Sequence, residues 1–261
     1  MIEYTMSQHS CETNGCNQLE GNTSMPYEAV LMDMDGVIID TQSSIVTFWQ
    51  NLASAYHIHL TQKDIDQHIS GCSARHTITT LLPHLDDEKL QSVYRALHEY
   101  EASLQYREVH GAIALLQELK YDHIPVALVT GASRWKAKIV TQQLSLAPFL
   151  TAHVTGDDIL ESKPAPDSYL LAAYRLGKDP QTCLVFEDAV NGVRAALAAQ
   201  MVCIGVLTTN SACSLMAAGA SCTIPDFTAV RVQAAPATVQ KADALFLLEA
   251  TSDFNFPLKS S

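Results

Sequence analysis

Apolar residues along this chain follow two rhythms. Three short runs are unbroken: Ala29-Val30-Leu31-Met32, Val126-Ala127-Leu128-Val129 and Cys183-Leu184-Val185-Phe186. Four apolar residues without polar alternation read as a strand buried on both faces. Elsewhere apolar residues recur at spacings of three and four, the period of a helix with one buried face. Leu81, Leu82 and Leu85, then Leu90, Val93, Tyr94, Leu97 and Leu104, follow that spacing, and residues 167–176 read as another helix. Each strand-like run precedes a helix-like segment, which argues for βαβ units and a parallel sheet. The predicted fold class is therefore α/β, a Rossmann-like parallel sheet core with helices on both faces. Its first strand falls at residues 28–33 and the next resumes only near 125. The residues between, about 42–108, are helical in character and form an insert after the first strand.

Polar residues gather where the apolar runs stop. Asp33 and Asp35 follow the first run, Thr130-Gly131 the second, and Glu187-Asp188 the third. Lys163-Pro164-Ala165-Pro166 lies just ahead of the helical stretch at 167–176. In parallel sheets, ligands bind at the carboxyl ends of the strands, so these residues share an address. Residues i and i+2 of an extended segment point the same way, which aims Asp33 and Asp35 at one site. One carboxylate can attack while the other moves protons. The remaining acids suit a hard cation, and the threonine and lysine suit an anion. A phosphoryl group fits that set best. A calcium loop does not, because Val37-Ile38-Ile39 follows Gly36 where such a loop needs further acids.

The order Asp-x-Asp-Gly-Val, Thr-Gly, Ser-Lys-Pro-Ala-Pro-Asp and Phe-Glu-Asp-Ala-Val-Asn-Gly-Val-Arg-Ala-Ala resembles the four motifs of the haloacid dehalogenase superfamily. Over about residues 27–228 the chain is most similar to its β-phosphoglucomutase-like subgroup of sugar-phosphate phosphatases and mutases. The resemblance implies that Asp33 is a nucleophile forming an aspartyl-phosphate, and that Asp35 is the general acid and then the base. It implies that Thr130 bonds the phosphoryl oxygens and that Lys163 neutralises them and orients Asp33. Asp188, Asp33 and the Asp35 backbone carbonyl would hold Mg²⁺, with Glu187 supporting that site directly or through water. The helical insert would be a cap that selects the substrate, with Arg75 in Gly71-Cys72-Ser73-Ala74-Arg75 reaching it. Gly131 and Ser133 would line the substrate site. From their positions, Arg134 either adds positive charge near the phosphate or lies on the helix exterior, Gln42 is a candidate to face the leaving group, and Phe48 and Trp49 read first as cap core and second as facing it.

The expected organisation is a polar extension at 1–26, a core at 27–41 and 109–228, a helical cap at 42–108, and a tail at 229–261 with a helix over 239–249. Cys11 and Cys16, with His9, match no structural zinc spacing. An apolar fraction of 48% over 261 residues is enough for a sizeable core. A net charge of −12 argues against nucleic acid or an anionic membrane as partner. Seven scattered cysteines form no disulfide framework, and no segment suits a membrane span or signal peptide, so a reducing cytoplasm is expected.

The function expected is a Mg²⁺-dependent phosphatase acting on a sugar or polyol phosphate. The alternatives are a β-phosphoglucomutase-type mutase, a metal-free dehalogenase, which Asp35 and Asp188 disfavour, and a non-catalytic binding protein on the same fold. In the mutase a histidine and a basic residue from the cap side help hold the general acid away from water. Ile45 falls at the histidine's position here, so Asp35 is expected to be unheld and hydrolysis to win over transfer.

Overall fold

The structure, a computed structural model, describes residues 27–234 and 246–250. The expected extension at 1–26 lies outside the described residues. Six parallel strands form the main sheet: β1 (Ala29–Met32), β2 (Val126–Val129), β3 (Ala152–Val154), β4 (Cys183–Glu187), β5 (Val202–Val206) and β6 (Cys222–Ile224). Their order is β3-β2-β1-β4-β5-β6. The chain runs outward from β1 through β2 to β3, then returns to place β4 on the other side of β1. A strand order that reverses in this way opens a crevice at the carboxyl end of the central strand.

The unbroken apolar runs are explained by two cores. Along β1, Val30 and Met32 join one apolar cluster while Ala29 and Leu31 join the other, so both faces are dry. Helices α5 (Ala112–Tyr121) and α6 (Arg134–Gln143) cover the first face. Helices α7 (Asp167–Leu176), α8 (Val190–Ala198) and α9 (Ala212–Ala218) cover the second. Between β1 and α5 come α1 (Gln42–Ala55), α2 (Gln62–His68), α3 (Ala74–Leu81) and α4 (Asp87–Ser103). They build a third apolar cluster of their own around Phe48, Trp49, Ile65, Ile69, Ile78, Leu82 and Val93.

Side-chain caps set where these inserted helices begin. Thr61 and Asp64 form a reciprocal capping box on α2, Ser73 accepts from the His76 N–H on α3, and Asp86 accepts from the Lys89 N–H on α4.

The tail departs from expectation. Phe246–Ala250 is a strand, β8, paired antiparallel with β7 (Val230–Ala234), where the sequence suggested the end of a helix. Register brings Val230 opposite Ala250 and Val232 opposite Leu248, and this pairing overrides the helix propensity of Leu247, Leu248 and Glu249. Residues 239–245 of that expected helix lie outside the described residues. Strands β3, β5 and β6 went unread: β3 and β6 are three residues long and carry no measurable period, and β5 is interrupted by Gly205.

Leu116 is fully buried where α5 meets the sheet. Leu116→Ala should lower the unfolding free energy by about 2–5 kcal/mol, read from urea denaturation with the slope unchanged.

Candidate active site

The geometry of the site is built around one buried ammonium group. Lys163 is 1% exposed, and its Nζ lies 2.6 Å from Asp33 Oδ1 and 2.5 Å from Glu187 Oε1. Asp33 follows β1 and its N–H donates to the Phe186 carbonyl at 3.1 Å, which carries the ladder one residue past the strand. Glu187 ends β4, next door. The sheet order, not any local feature, brings these two carboxylates within reach of one lysine.

Glu187 is fully occupied. Beyond Lys163, its Oε1 accepts from the Tyr169 hydroxyl at 2.8 Å. Its Oε2 accepts from the backbone N–H groups of Asp188 and Ala189 at 3.0 and 3.1 Å, at the start of α8. A Cβ on Gly192 would sit 1.7 Å from the same carboxylate, so only glycine lets α8 begin here. Glu187, expected to support a metal site directly or through water, here anchors Lys163 and the turn that leads into α8.

The turn after Asp33 is equally tight. Gly36 has φ +78, a conformation that favours glycine, and a Cβ there would lie 1.8 Å from Asp188 Oδ2. Met34, Val37, Ile38 and Ile39 are buried around it, which fixes the turn rigidly. Asp188 is thereby pressed against the Asp33–Gly36 turn, its backbone carbonyl held by Asn210 at 3.0 Å.

Three buried carboxylates, Asp33, Glu187 and Asp188, now share the single Lys163. Burial pushes the Asp33 carboxyl up to about 7 against the pull of Lys163, with Glu187 adding to the rise. Burial, and then repulsion from Glu187 and Asp33, raises Asp188 well above the carboxylate range. For Lys163, burial works against the charge, but Asp33 and Glu187 outweigh it and hold the ammonium above its ordinary value. The excess of buried negative charge is the environment of a hard cation held by oxygen donors. Among the described residues no three His, Cys, Asp or Glu side chains form a ready metal cluster, and Asp33 and Asp188 are the buried carboxylates that line the cavity.

Above these groups a cavity of about 110 Å³ opens between the sheet edge and the inserted helices. Asp33, Asp35, Thr130, Gly131, Ser133 and Asp188 all line it. Thr130 accepts from the Ala132 N–H at 3.0 Å, which leaves its hydroxyl proton to donate. Ser133 caps α6 by accepting from the Lys136 N–H.

Asp35 is held, contrary to expectation. Its Oδ1 accepts from the Thr41 hydroxyl at 2.5 Å and from Lys136 Nζ at 2.7 Å. Ile45 does line the cavity, but the holding contacts come from Thr41 and a core lysine, not from its position. Lys136 was missed from sequence. A signal existed: Ser133, Lys136, Ala137 and Val140 follow the three-and-four spacing of the inward face of α6, while Arg134 lies off it. Arg134 accordingly points outward and pairs with Asp158 at 2.7 Å.

Arg75 is also displaced from its expected role. It is exposed on the first turn of α3 and does not line the cavity. Ala74 and Thr77 face the cavity, and neighbouring helix positions point about 100° apart, so Arg75 is turned to solvent. Phe48 and Trp49 line the cavity as an edge-to-face pair and belong to the apolar core of the insert, while the Gln42 side chain lies outside the described residues.

Over residues 30–206 the chain matches the family described as haloacid dehalogenase-like hydrolase. It is 32% identical over 199 residues to a phosphorylated carbohydrates phosphatase of Thermotoga maritima, covering 74% of this chain and 92% of that one. It is 28% identical over 190 residues to a β-phosphoglucomutase of Bacillus subtilis, covering 69% and 83%. A hydrolase of Pseudomonas syringae with a crystal structure superposes with a TM-score of 0.69 at 26% identity, covering 77% and 94%.

The raised carboxyls have a consequence for stability. Asp33 titrates near 7 when folded and near 4 when unfolded, so the folded state holds the extra proton between those values. Glu101, also raised to about 7 by burial, acts in the same direction. In chelator-treated protein the unfolding free energy should fall as pH rises from about 5 to 7, measured by urea denaturation. A rise over that window would contradict the assignment.

Proposed function

The chain belongs to the haloacid dehalogenase-like hydrolases, and we propose that it is a Mg²⁺-dependent phosphatase of small sugar or polyol phosphates, working through an aspartyl-phosphate on Asp33. That it is a phosphoric monoester hydrolase accords with its phosphatase relative, and hydrolases of this family generally use a divalent metal. The observation that carries the finer reading is Lys163, locked on Asp33 at the floor of the cavity.

In this reading the substrate's phosphate rests between Asp33 and the N-terminal end of α6. Thr130 donates its hydroxyl to a phosphoryl oxygen, and Gly131 and Ser133 form the adjoining wall. Lys163 fixes the Asp33 carboxylate so that one oxygen faces phosphorus. Asp33 attacks, and the phosphoryl group passes to it as the ester bond breaks. Asp35 protonates the departing oxygen, then takes a proton from the water that hydrolyses the acyl phosphate. Asp33, Asp188 and the Asp35 carbonyl would hold Mg²⁺, which when bound supplies charge neutralisation and alignment for phosphoryl transfer.

Helices α1–α4, together with their loops, act as the cap over the cavity and confine the leaving group. Thr41 and Lys136 set where Asp35 waits. Because both are already on the acid, its delivery requires the leaving oxygen to compete for the same proton network. Among the described residues Cys72, Cys183, Cys203 and Cys213 form no disulfide, which favours a reducing cytoplasm as the compartment. Among the described residues no helix is long and apolar enough to cross a membrane. A mutase reading stays open at this level, since the same aspartate serves both reactions.

The test is release of free phosphate from a panel of phosphorylated metabolites with Mg²⁺. Asp33→Asn should reduce kcat by more than about 10³-fold with the fold intact by circular dichroism. Excess chelator should abolish turnover, Mg²⁺ restore it and Ca²⁺ inhibit it, because the looser calcium shell places the nucleophile poorly. Near wild-type turnover in Asp33→Asn, or full activity in chelator, would refute the mechanism.

A further inference from the structure

One helix end of the insert is finished by the core. Helix α2 closes at His68, and the Ile69 and Ser70 N–H groups both donate to the Ile65 carbonyl. Among the described residues this leaves the Asp66 and Gln67 carbonyls without a backbone donor, as happens in the last turn of a helix. Asn191, on the first turn of α8, supplies them from across the seam. Its Nδ2 donates to the Gln67 carbonyl at 3.1 Å and to the Asp66 carbonyl at 3.4 Å, and lies 3.4 Å from Cys72 Sγ. Asn191 is 5% exposed and does not line the cavity. Its amide faces the insert, not the substrate.

The loop that follows α2 is fitted to all three core loops that carry the site. A Cβ on Gly131, beside Thr130, would lie 2.9 Å from the Cys72 carbonyl. Gly71 has φ +71, and a Cβ there would lie 3.0 Å from the Ala189 Cβ, one residue past Asp188. Ser73 Oγ meets Ser162 Oγ at 2.6 Å, one residue before Lys163. Ile69, Ser70, Gly71 and Cys72 also line the cavity, so this loop is at once a pocket wall and the strip that docks on the core. Glycine notches admit the loop but do not hold it. The directional hold comes from the Asn191 amide and the serine pair.

We infer that Asn191 is a positioning residue for the leaving-group pocket: by capping α2 from the core it seats residues 69–73 as the pocket wall, and so sharpens selection among leaving groups. This rests on the proposed phosphatase chemistry and deepens it. Asn191 does not reach the reacting atoms, so phosphoryl transfer does not pass through it. When the loop lifts, the two carbonyls exchange the amide for water, and the seat loses the net worth of two hydrogen bonds. That corresponds to on the order of 10- to 100-fold in the ratio of seated to lifted loop. A leaving group large enough to reach the wall feels this ratio, and one too small to reach it does not.

The test pairs kinetics with a chemical probe of the seam. Cys72 Sγ packs against the Asn191 amide and the Lys163 carbonyl, whereas Cys213 on α9 is exposed and serves as an internal reference. In Asn191→Ala, iodoacetamide labelling of Cys72 relative to Cys213, read by peptide mass spectrometry, should rise about 10-fold or more. With Mg²⁺, KM for the best hexose or hexitol phosphate should rise about 3- to 10-fold while kcat stays nearly constant. For acetyl phosphate, whose leaving group is too small to reach the wall, kcat/KM should change by less than about 2-fold. Asn191→Leu keeps a branched side chain of similar shape but has no donor, so it should match Asn191→Ala in labelling and in the ratio between the two substrates. Wild-type labelling in both variants, or equal losses on the two substrates, would mean that Asn191 serves only the start of α8, and would overturn the inference. A wild-type substrate ratio in Asn191→Leu would mean that the side chain only fills space, and would overturn it as well. A wild type that releases phosphate from neither substrate would instead remove the phosphatase reading itself, and the role in selection with it.

Discussion

An ammonium group buried between two carboxylates sets the terms for this structure. Lys163 has almost no contact with water, and a lone charge in that position would be prohibitively unstable. Asp33 and Glu187 stabilise it only because β1 and β4 are neighbours in the sheet and end level with one another. Breaking such a pair by removing one partner typically costs about 3–5 kcal/mol, since the other charge stays buried. The surrounding backbone is shaped to fit this arrangement. Gly36 and Gly192 are glycine because the carboxylates of Asp188 and Glu187 lie where their Cβ atoms would go. The start of α8 is secured by the same Glu187 that holds the lysine, so helix position and site charge are one problem with one solution.

A second set of contacts ties the helical insert to that frame. Ser73 meets Ser162 at 2.6 Å, next to Lys163, and Asn191 of α8 donates to the Gln67 carbonyl at 3.1 Å. On the opposite side, His98 stacks on Trp135 while Glu101 approaches Lys136. These seams are small and polar, whereas the insert's own core is apolar and separate. An element with an independent core and thin polar seams can move as a body, because few buried apolar contacts are lost when it does. The proposed cap role needs that property.

The parts of this architecture that were legible in the sequence are those encoded over several residues. The unbroken runs of β1, β2 and β4 gave a doubly covered parallel sheet, and the polar residues at their ends gave Asp33, Asp35, Thr130, Glu187 and Asp188. What was missed depends on which way a helix faces once packed. Arg134 and Arg75 were weighed as charges near a motif, yet each lies off the inward stripe of its helix. Lys136 lies on such a stripe, and so does Glu101, which continues the spacing of Leu90, Val93, Tyr94 and Leu97. A charged residue interrupting an apolar stripe is the readable sign in both cases. The short strands β3 and β6 and the β7–β8 pairing had no comparable sign, being fixed by neighbours distant in sequence.

Lys136 changes how the two carboxylates after β1 should be understood. Both Asp33 and Asp35 are paired with a buried lysine, but the two lysines come from different places. Lys163 arrives from the loop before α7 and is held by a second, fully saturated carboxylate, so it has no other state to adopt. Lys136 arrives from α6 and faces Glu101 across a longer gap, with one oxygen of that acid unpaired. The first pairing fixes Asp33, the proposed nucleophile; the second is incomplete. With a net charge of −12 the chain gains nothing from long-range attraction to a phosphate, so selection has to occur at contact. The incomplete pairing, where the proposed general acid meets the wall of the inserted helices, is where the proposed chemistry leaves contact able to act.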